Sequence, residues 1–233
     1  MSSIDRSVIA DLPPFQGMSP DDLDRMAAQA RPQRFEREAT IFSQGTAADR
    51  FYLLLSGHIR VVRTTPDGQQ VIARYISPGE LFGIAPALGL TAYPANAVAA
   101  AECTVLSWPT ELWPSFADRT AAFGQNATAT VGRRLQETQE RVVEMSTERI
   151  EQRIAHTLLR LARQTGRKTD EGILIDLAIS RQDIAEMTGT TLHTVSRLLS
   201  GWEGRGLVRS GRQRVTIVDP HRLLVLAEGR DKD

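Results

Sequence analysis

Six side chains that can form hydrogen bonds are concentrated between residues 190 and 197. They are Thr190, Thr191, His193, Thr194, Ser196 and Arg197. Hydroxyl, imidazole and guanidinium groups donate hydrogen bonds to phosphate oxygens, and several of them also match the donor and acceptor patterns of base edges. This group therefore predicts the binding of a nucleic acid, provided that the flanking residues present it on a suitable element.

The segment RQDIAEMTGTTLHTVSRLLS (residues 181–200) predicts a helix-turn-helix that enters DNA. Ala185 is small enough for the second helix to approach the first, and Gly189 can adopt the positive φ of a tight turn. The expected apolar face consists of Ile184, Met187, Val195 and Leu198. The polar group then lies outward or at the helix cap. Other small helical hairpins share such spacing, so the flanking segments must support the interpretation.

The next segment, GLVRSGRQRVTIVDP, predicts a hairpin wing with its turn at Ser210-Gly211. Residues 197–214 contain five arginines and a single acidic residue, Glu203. The whole chain, by contrast, has equal numbers of basic and acidic residues, 28 of each. They are Arg197, Arg205, Arg209, Arg212 and Arg214. A local basic excess favours phosphate contacts, which supply affinity but no sequence readout. The alternative is that these arginines merely solvate the wing.

Composition indicates an ordinary soluble chain, with 41% hydrophobic and 24% charged residues. No apolar run is long enough to cross a membrane and the first residues do not resemble a signal peptide, so a cytoplasmic location without membrane contact is expected. Cys103 is the single cysteine, which excludes a disulfide or an iron–sulfur cluster held by one chain. A small buried apolar role is predicted for Cys103, with a redox-sensing thiol as the alternative.

Three domains of an α+β protein are predicted: residues 1–118, 119–147 and 148–233. The first contains a helix from Pro20 to Ala30, capped by Ser19, and then short apolar runs between glycine turns, which is typical of a β-roll or jelly roll. Those turns are expected at Gly45, Gly57, Gly68 and Gly79. The last domain adds an amphipathic helix ending at Gly166, a β-prone run ILIDLAI and a closing helix HRLLVLAEG around the helix-turn-helix.

The middle segment predicts one long helix with a heptad seam. The seam consists of Val131, Leu135, Thr138, Val142 and Met145, with charged residues on both sides. This pattern favours dimerisation of two copies through the helix. The alternative is an amphipathic helix that packs on its own domain.

The order of a β-roll, a long dimerisation helix and a winged helix-turn-helix resembles the Crp/Fnr superfamily of bacterial transcription regulators. The resemblance covers nearly the whole chain and is carried by IFSQG, FYLLLSGHIRV, SPGELFG, RRLQETQERV and ISRQDIAEMTGTTLHTVSRLL. It implies a homodimer whose recognition helices enter successive major grooves of an inverted-repeat operator. Double-stranded DNA and a second copy are thus the expected partners, with RNA polymerase as a further partner.

The resemblance also assigns roles to individual residues. Arg197 aligns with a base-reading arginine and Ser196 with a second reader, while His193 stands where many relatives have a glutamate, so operator preference should differ there. Thr191 and Thr194 are assigned to phosphate contacts or to the helix cap, and Arg181, Arg212 and Arg214 are further expected DNA contacts. The HTVSR text is similar to a branch of nitric-oxide and denitrification regulators, which predicts control of denitrification or anaerobic genes.

Relatives that bind cyclic nucleotides have a glutamate after the glycine motif and an arginine about ten residues later. Here Ile84-Ala85 follow SPGELFG and the segment ALGLTAYPANAVAAAE has no arginine, so cAMP is not the expected effector. One remaining hypothesis is haem, with His58 as its axial ligand. The other is an apolar pocket that holds an unknown small molecule or nothing, as in constitutive members. Its expected lining is Leu81, Phe82, Ile84, Val131, Leu135 and Thr138.

An enzymatic role is not expected. Glu148, Glu151 and His156 form the nearest approach to a polar cluster, but they fall on the charged side of a helix, and no nucleophile elbow, phosphate loop or metal motif is present in the sequence. A bare effector-binding module that has lost DNA binding is the remaining alternative. The aromatic residues Trp108, Trp113 and Phe116 are expected to serve packing.

Overall fold

The computed structural model describes residues 4–230. The chain divides into two compact units, one comprising most of the chain up to Thr138 and the other most of it from Gln139 onward. The division falls inside the long helix that the sequence predicted.

Between residues 4 and 147, eight strands and four α-helices follow one another. The helices are α1 (Ser7–Ala10), α2 (Pro20–Gln29), α3 (Trp113–Arg119) and α4 (Ala121–Thr147). The strands are β1 (Arg31–Phe35), β2 (Thr40–Phe42), β3 (Arg50–Ser56), β4 (Ile59–Thr64), β5 (Gln70–Ile76), β6 (Leu81–Phe82), β7 (Asn96–Ala99) and β8 (Cys103–Pro109). They form two four-stranded sheets in the orders β1-β8-β3-β6 and β2-β7-β4-β5. This confirms the expected β-roll.

Local sequence signals explain several of these boundaries. Ser19 accepts a hydrogen bond from the Asp22 amide and Pro20 opens α2, as predicted. The four turn glycines have φ between 81° and 86°. At Gly57 a Cβ would lie 2.3 Å from the Glu102 carbonyl oxygen, so only glycine fits this turn.

Two hydrophobic clusters stabilise the β-roll. The first contains Phe51, Trp108, Trp113 and Phe116, and the Trp108 indole donates to the Met26 carbonyl oxygen over 2.9 Å. The packing role predicted for these aromatics is confirmed. The second cluster contains Tyr52, Phe82, Tyr93 and Cys103 among other buried residues.

The long helix is shorter than predicted at its start. Residues 119 and 120 do not belong to it, because Thr120 has an extended backbone that ends α3 before α4 begins. Within α4 the buried residues Phe123 and Ala127 lie in the first two turns, whereas Leu135 and Val142 of the heptad seam are 58% and 61% exposed. These two seam residues are therefore open to solvent on a single copy of the chain.

From the end of α4 to residue 230, four further helices and four strands follow. They are α5 (Ile150–Thr165), β9 (Gly166–Thr169), β10 (Gly172–Ile175), α6 (Arg181–Thr188), α7 (Leu192–Gly204), β11 (Val208–Gly211), β12 (Arg214–Ile217) and α8 (Pro220–Ala227). The strands form one sheet in the order β11-β12-β10-β9. Strand β9 was not predicted, because its sequence GRKT is polar and its residues are largely exposed.

The structure corrects two details of the predicted winged helix-turn-helix. The wing turn lies at Arg212-Gln213 rather than Ser210-Gly211, since Gly211 already pairs with Arg214 and Gln213 has φ of 56°. On α7, Leu199 is fully buried and Leu198 is not, so the buried face is rotated by one residue from the expected one.

Candidate nucleic-acid interface

Helix α6 has defined caps at both ends. Ser180 and Asp183 form a reciprocal capping box, with the Asp183 amide 3.0 Å from Ser180 Oγ and the Ser180 amide 2.7 Å from Asp183 Oδ2. Gly189 ends the helix in the left-handed region, with φ of 63° as the sequence predicted. A Cβ at Gly189 would also lie 2.7 Å from Met145 Cε. The turn therefore needs glycine for both its dihedral angle and its clearance.

Helix α7 and its cap present several of the hydrogen-bonding side chains of residues 190–197 to solvent. Thr191 caps it by accepting from the Thr194 amide over 3.2 Å. The cap role considered for these two threonines is thus present in the structure. Val195, Leu199 and Trp202 point into the core, while His193 and Arg197 are exposed. Because His193 and Arg197 are four residues apart, they lie on one side of the helix.

The wing is attached to both helices of the motif through Ser210. Glu203 of α7 accepts from the Ser210 amide over 2.6 Å and from its hydroxyl over 2.8 Å. Arg181 of α6 donates to the same hydroxyl over 3.0 Å. The sequence assigned Arg181 to DNA, but the structure shows its guanidinium bonded to Ser210.

Arginine side chains surround this attachment. Arg212 and Arg214 are exposed at the wing tip, and Arg209 forms an ion pair with Glu171 at 2.5 Å. An open groove runs between the starts of α6 and α7 and the wing turn. Its lining consists of Ser180, Arg181, Gln182, Leu192, Gly211, Arg212 and Gln213. The lining thus carries two guanidinium groups and no carboxylate, which is suited to a polyanion.

The end of α4 contacts the helix-turn-helix directly. Arg141 donates to the Met187 carbonyl oxygen over 2.7 Å, and burial lowers the pKa of Arg141. Glu144 pairs with Arg160 of α5 at 2.5 Å. The predicted polar cluster has structural partners: His156 lies 3.4 Å from Glu148, and Glu151 accepts from the Trp202 indole over 2.9 Å.

A charged network lies where α4 passes β5 and β6. Glu80 is 2.6 Å from Arg74 and 3.8 Å from Arg134, and Glu137 is 3.6 Å from Arg74. Arg134 also donates to the Leu81 carbonyl oxygen. Burial, with the nearby charge of Arg74, lowers the pKa of Arg134 to about 10. Both cations are therefore already paired with carboxylates. This network could not be predicted from the sequence, because Arg74 and Glu80 are distant in the chain from the residues of α4.

The residues predicted to line one effector pocket do not lie together in the structure. Leu81 and Ile84 belong to the first hydrophobic cluster, against which Val131 also packs, whereas Phe82 belongs to the second. The reason is that neighbouring residues of β6 point to opposite faces of its sheet. Thr138 and Leu135 are exposed on α4.

Aromatic side chains fill the second cluster. The rings of Phe42 and Tyr93 are stacked with centroids 3.8 Å apart, and Tyr52 and Phe82 are stacked at 5.0 Å. The Tyr93 hydroxyl donates to the Arg50 carbonyl oxygen over 2.7 Å. Direct contact and a hydrogen bond thus hold these rings in the space between the sheets.

His58 and Cys103 lie near one end of β3. His58 is half-buried, and its carbonyl oxygen accepts from the Ala100 amide over 2.8 Å. Cys103 is buried, as predicted, and burial raises the pKa of its thiol to about 11. Within residues 4–230, no group of three or more His, Cys, Asp or Glu side chains is placed to hold a metal ion. A search of the same residues finds no helix with the length and apolar character to span a membrane.

Comparisons with known proteins match both units. Residues 32–120 match the cyclic nucleotide-binding domain and residues 152–226 the Crp-like helix-turn-helix domain. The chain is 30% identical to the cyclic AMP receptor protein of Thermus thermophilus, over 93% of this chain and 97% of that protein. It is 25% identical to the CRP-like cAMP-activated global transcriptional regulator of Mycobacterium tuberculosis, over 90% and 93% of the two chains. The solved structure of FixK2 from Bradyrhizobium japonicum has the same fold, with a TM-score of 0.75 and 22% identity over 84% of this chain and 96% of that one.

Proposed function

Because the protein belongs to the Crp/Fnr family of transcription regulators, we propose that it binds an inverted-repeat operator as a homodimer. The observation that carries this proposal is the exposed side of α7 with His193 and Arg197, on the same helix to which Glu203 attaches the arginine-rich wing. Arg197 would pair with a guanine, His193 and Ser196 would contact neighbouring base edges, and Arg212 and Arg214 would contact phosphates. The exposed seam of α4 would join the two copies.

Selection of duplexes from a random library tests this function. The expected product is an inverted repeat whose half-sites lie about 10 base pairs apart, because each dimer presents two recognition helices to successive major grooves. Binding should be measured at several salt concentrations together with the molar mass of the complex. Enrichment of no sequence, or one-to-one binding of a single half-site by a monomer, would contradict the proposal.

For the signal, we propose control of nitric-oxide, denitrification or anaerobic genes, with haem as the sensing group and His58 as its ligand. The support is the similarity of the HTVSR segment to regulators of that branch and the position of His58 as the single histidine before α4. A haem also needs an apolar cavity around its ligand. If the protein activates transcription, RNA polymerase is a further partner.

A second candidate, a constitutive regulator with no cyclic nucleotide effector, is favoured by the stacked rings of the second cluster. Ligand entry there would require displacement of packed aromatic side chains. Between Ile76 and Asp118 the sequence has no arginine or lysine to pair with a cyclic phosphate, and Arg74 and Arg134 are paired with Glu80. An anionic ligand without a cation would bind weakly.

One pair of titrations separates the candidates. Under anaerobic conditions, a Soret band that saturates at one haem per subunit, shifts with nitric oxide and disappears in His58→Ala would support the gas sensor. Operator binding that is unchanged by haem, nitric oxide and cAMP would support the constitutive regulator. Tight binding of cAMP that increases operator affinity would contradict both.

A further inference from the structure

Leu192 is the first residue of α7, the helix that the proposed function places in the major groove. Its side chain is 48% exposed, although the helix buries an apolar face a few residues later. The apolar residues that attach α7 to its core are Val195, Leu199 and Trp202, all fully or almost fully buried. Leu192 therefore contributes little to the core of this unit.

The surroundings of Leu192 are polar and basic. It lines the groove in which Arg181, Gln182, Arg212 and Gln213 also lie. No carboxylate belongs to that lining, so the groove suits the DNA backbone electrostatically. A leucine side chain cannot form a hydrogen bond or an ion pair with phosphate. It can only contribute a contact with an apolar group of the DNA.

The direction of the side chain is set by the start of the helix. Thr191 caps α7 through the Thr194 amide and so defines Leu192 as its first residue. Side chains on a helix tilt toward its N-terminus, so the side chain of a first residue projects beyond the helix end. The N-terminal residues of a recognition helix are the ones that contact base edges.

The major groove offers one apolar group at its floor, the 5-methyl group of thymine. We propose that Leu192 reads a thymine in each half-site of the operator by contact with this methyl group, an inference that rests on the proposed function. His193 and Arg197 read polar base edges next to it. Leu192 thus supplies a specificity determinant that hydrogen-bonding patterns in the sequence do not reveal.

Replacement of thymine by deoxyuridine tests this contact, because it removes the methyl group and leaves every hydrogen-bonding group in place. Once an operator has been selected, each thymine is replaced in both half-sites and the affinity of the wild-type protein is measured. At one position the affinity should fall by about fourfold for each half-site, the effect of losing roughly one buried methyl group. Uniform affinity for all substituted operators would overturn the proposal.

Variants then assign the effect to Leu192. Leu192→Ala should bind the thymine and deoxyuridine operators equally at that position, and Leu192→Val should retain part of the difference. Leu224→Ala is the matched control, because Leu224 is 42% exposed on α8 of the same unit. It should discriminate as the wild type does. Full thymine preference in both Leu192 variants would overturn the assignment.

The two hypotheses fail in different ways. Absence of any preferred duplex in the selection would contradict the proposed function itself. A selected operator that depends on Arg197 but is indifferent to every thymine methyl group would leave the proposed function intact and contradict the role of Leu192.

Discussion

At the scale of single residues, Arg197 has the geometry of a base reader. It is exposed on α7 in the turn after His193, and the two residues lie on the same side of the helix. A planar guanidinium can donate two hydrogen bonds to one guanine, which a smaller side chain cannot do.

We expect Arg197→Ala to abolish preference for the operator while leaving the fold intact. Each lost bidentate contact removes about 1–3 kcal/mol of discrimination, and a dimer makes two. The measurement is fluorescence anisotropy with operator and scrambled duplexes. Arg163→Ala, a substitution of an exposed arginine on α5, serves as the control. Unchanged operator preference in Arg197→Ala would refute the assignment to α7.

Local patterns predicted the positions that depend on local geometry and failed where distant residues meet. Ser19, Gly189 and the helices that they cap or end were all predictable from single positions. The bond between Arg181 and Ser210 was not, because 29 residues separate them. The prediction that Leu198 is buried was wrong for another reason. Leu199, the neighbouring leucine, is buried instead, and two adjacent leucines do not show which side of α7 faces the core.

At the scale of elements, α4 presents apolar side chains of the heptad seam to solvent in its middle and last turns. Leu135, Val142 and Met145 are all exposed, and Val143 beside them is a further exposed apolar residue that the heptad did not include. Such a surface is suited to a second copy of the helix.

Leu135→Glu should therefore separate the dimer. Two carboxylates would face each other across the seam, and such like-charge contacts cost several kcal/mol, equivalent to a rise of about a hundredfold or more in the dimer dissociation constant. Sedimentation equilibrium measures the change. Gln136→Glu introduces the same charge on another side of α4 and should remain dimeric. A dimer of unchanged strength in Leu135→Glu would exclude this face from the interface.

The wing is a second element whose position depends on one acidic residue. Glu203 bonds the amide and hydroxyl of Ser210 and so attaches β11 to α7. In Glu203→Gln this charge-assisted attachment is weakened, and the wing arginines should lose their fit to the phosphates.

We expect Glu203→Gln to weaken binding and to flatten its dependence on salt. Loss of one phosphate contact per subunit lowers the slope of log K against log salt by about 0.9, or roughly 1.8 per dimer. If the wing did not move, removal of a negative charge would instead strengthen DNA binding. Whether the affinity falls or rises therefore distinguishes the two effects. Glu228→Gln, at the exposed residue that follows α8, is the control. Tighter binding by Glu203→Gln would contradict the role of Glu203 in holding the wing.

At the scale of the whole molecule, the structure divides at a different place from the sequence. The sequence suggested that the last domain starts at residue 148, but the compact unit already includes the chain from Gln139. Arg141, Glu144 and Met145 explain this, since they contact Met187, Arg160 and Gly189. The heptad spacing of apolar residues could predict the helix α4. It could not predict which turns of α4 belong to each compact unit.

A fragment of residues 139–233 should consequently be more stable than one of residues 148–233. The shorter fragment lacks the Arg141 hydrogen bond and the Glu144–Arg160 pair. Together they are worth about 3–6 kcal/mol, because hydrogen bonds to charged groups contribute about 1.5–3 kcal/mol each. Urea unfolding at one protein concentration gives the difference. Equal midpoints and slopes for the two fragments would show that the last turns of α4 do not stabilise this unit.

The burial of Cys103 has a practical consequence. A thiol with a pKa of about 11 is almost entirely protonated near neutral pH, and this one has little contact with solvent. A cysteine introduced on an exposed position such as Gln136 would then be the one reactive thiol among the described residues. Spin labels or fluorophores could be attached there without removing the native cysteine, so that distances between two copies could be measured in solution with and without DNA.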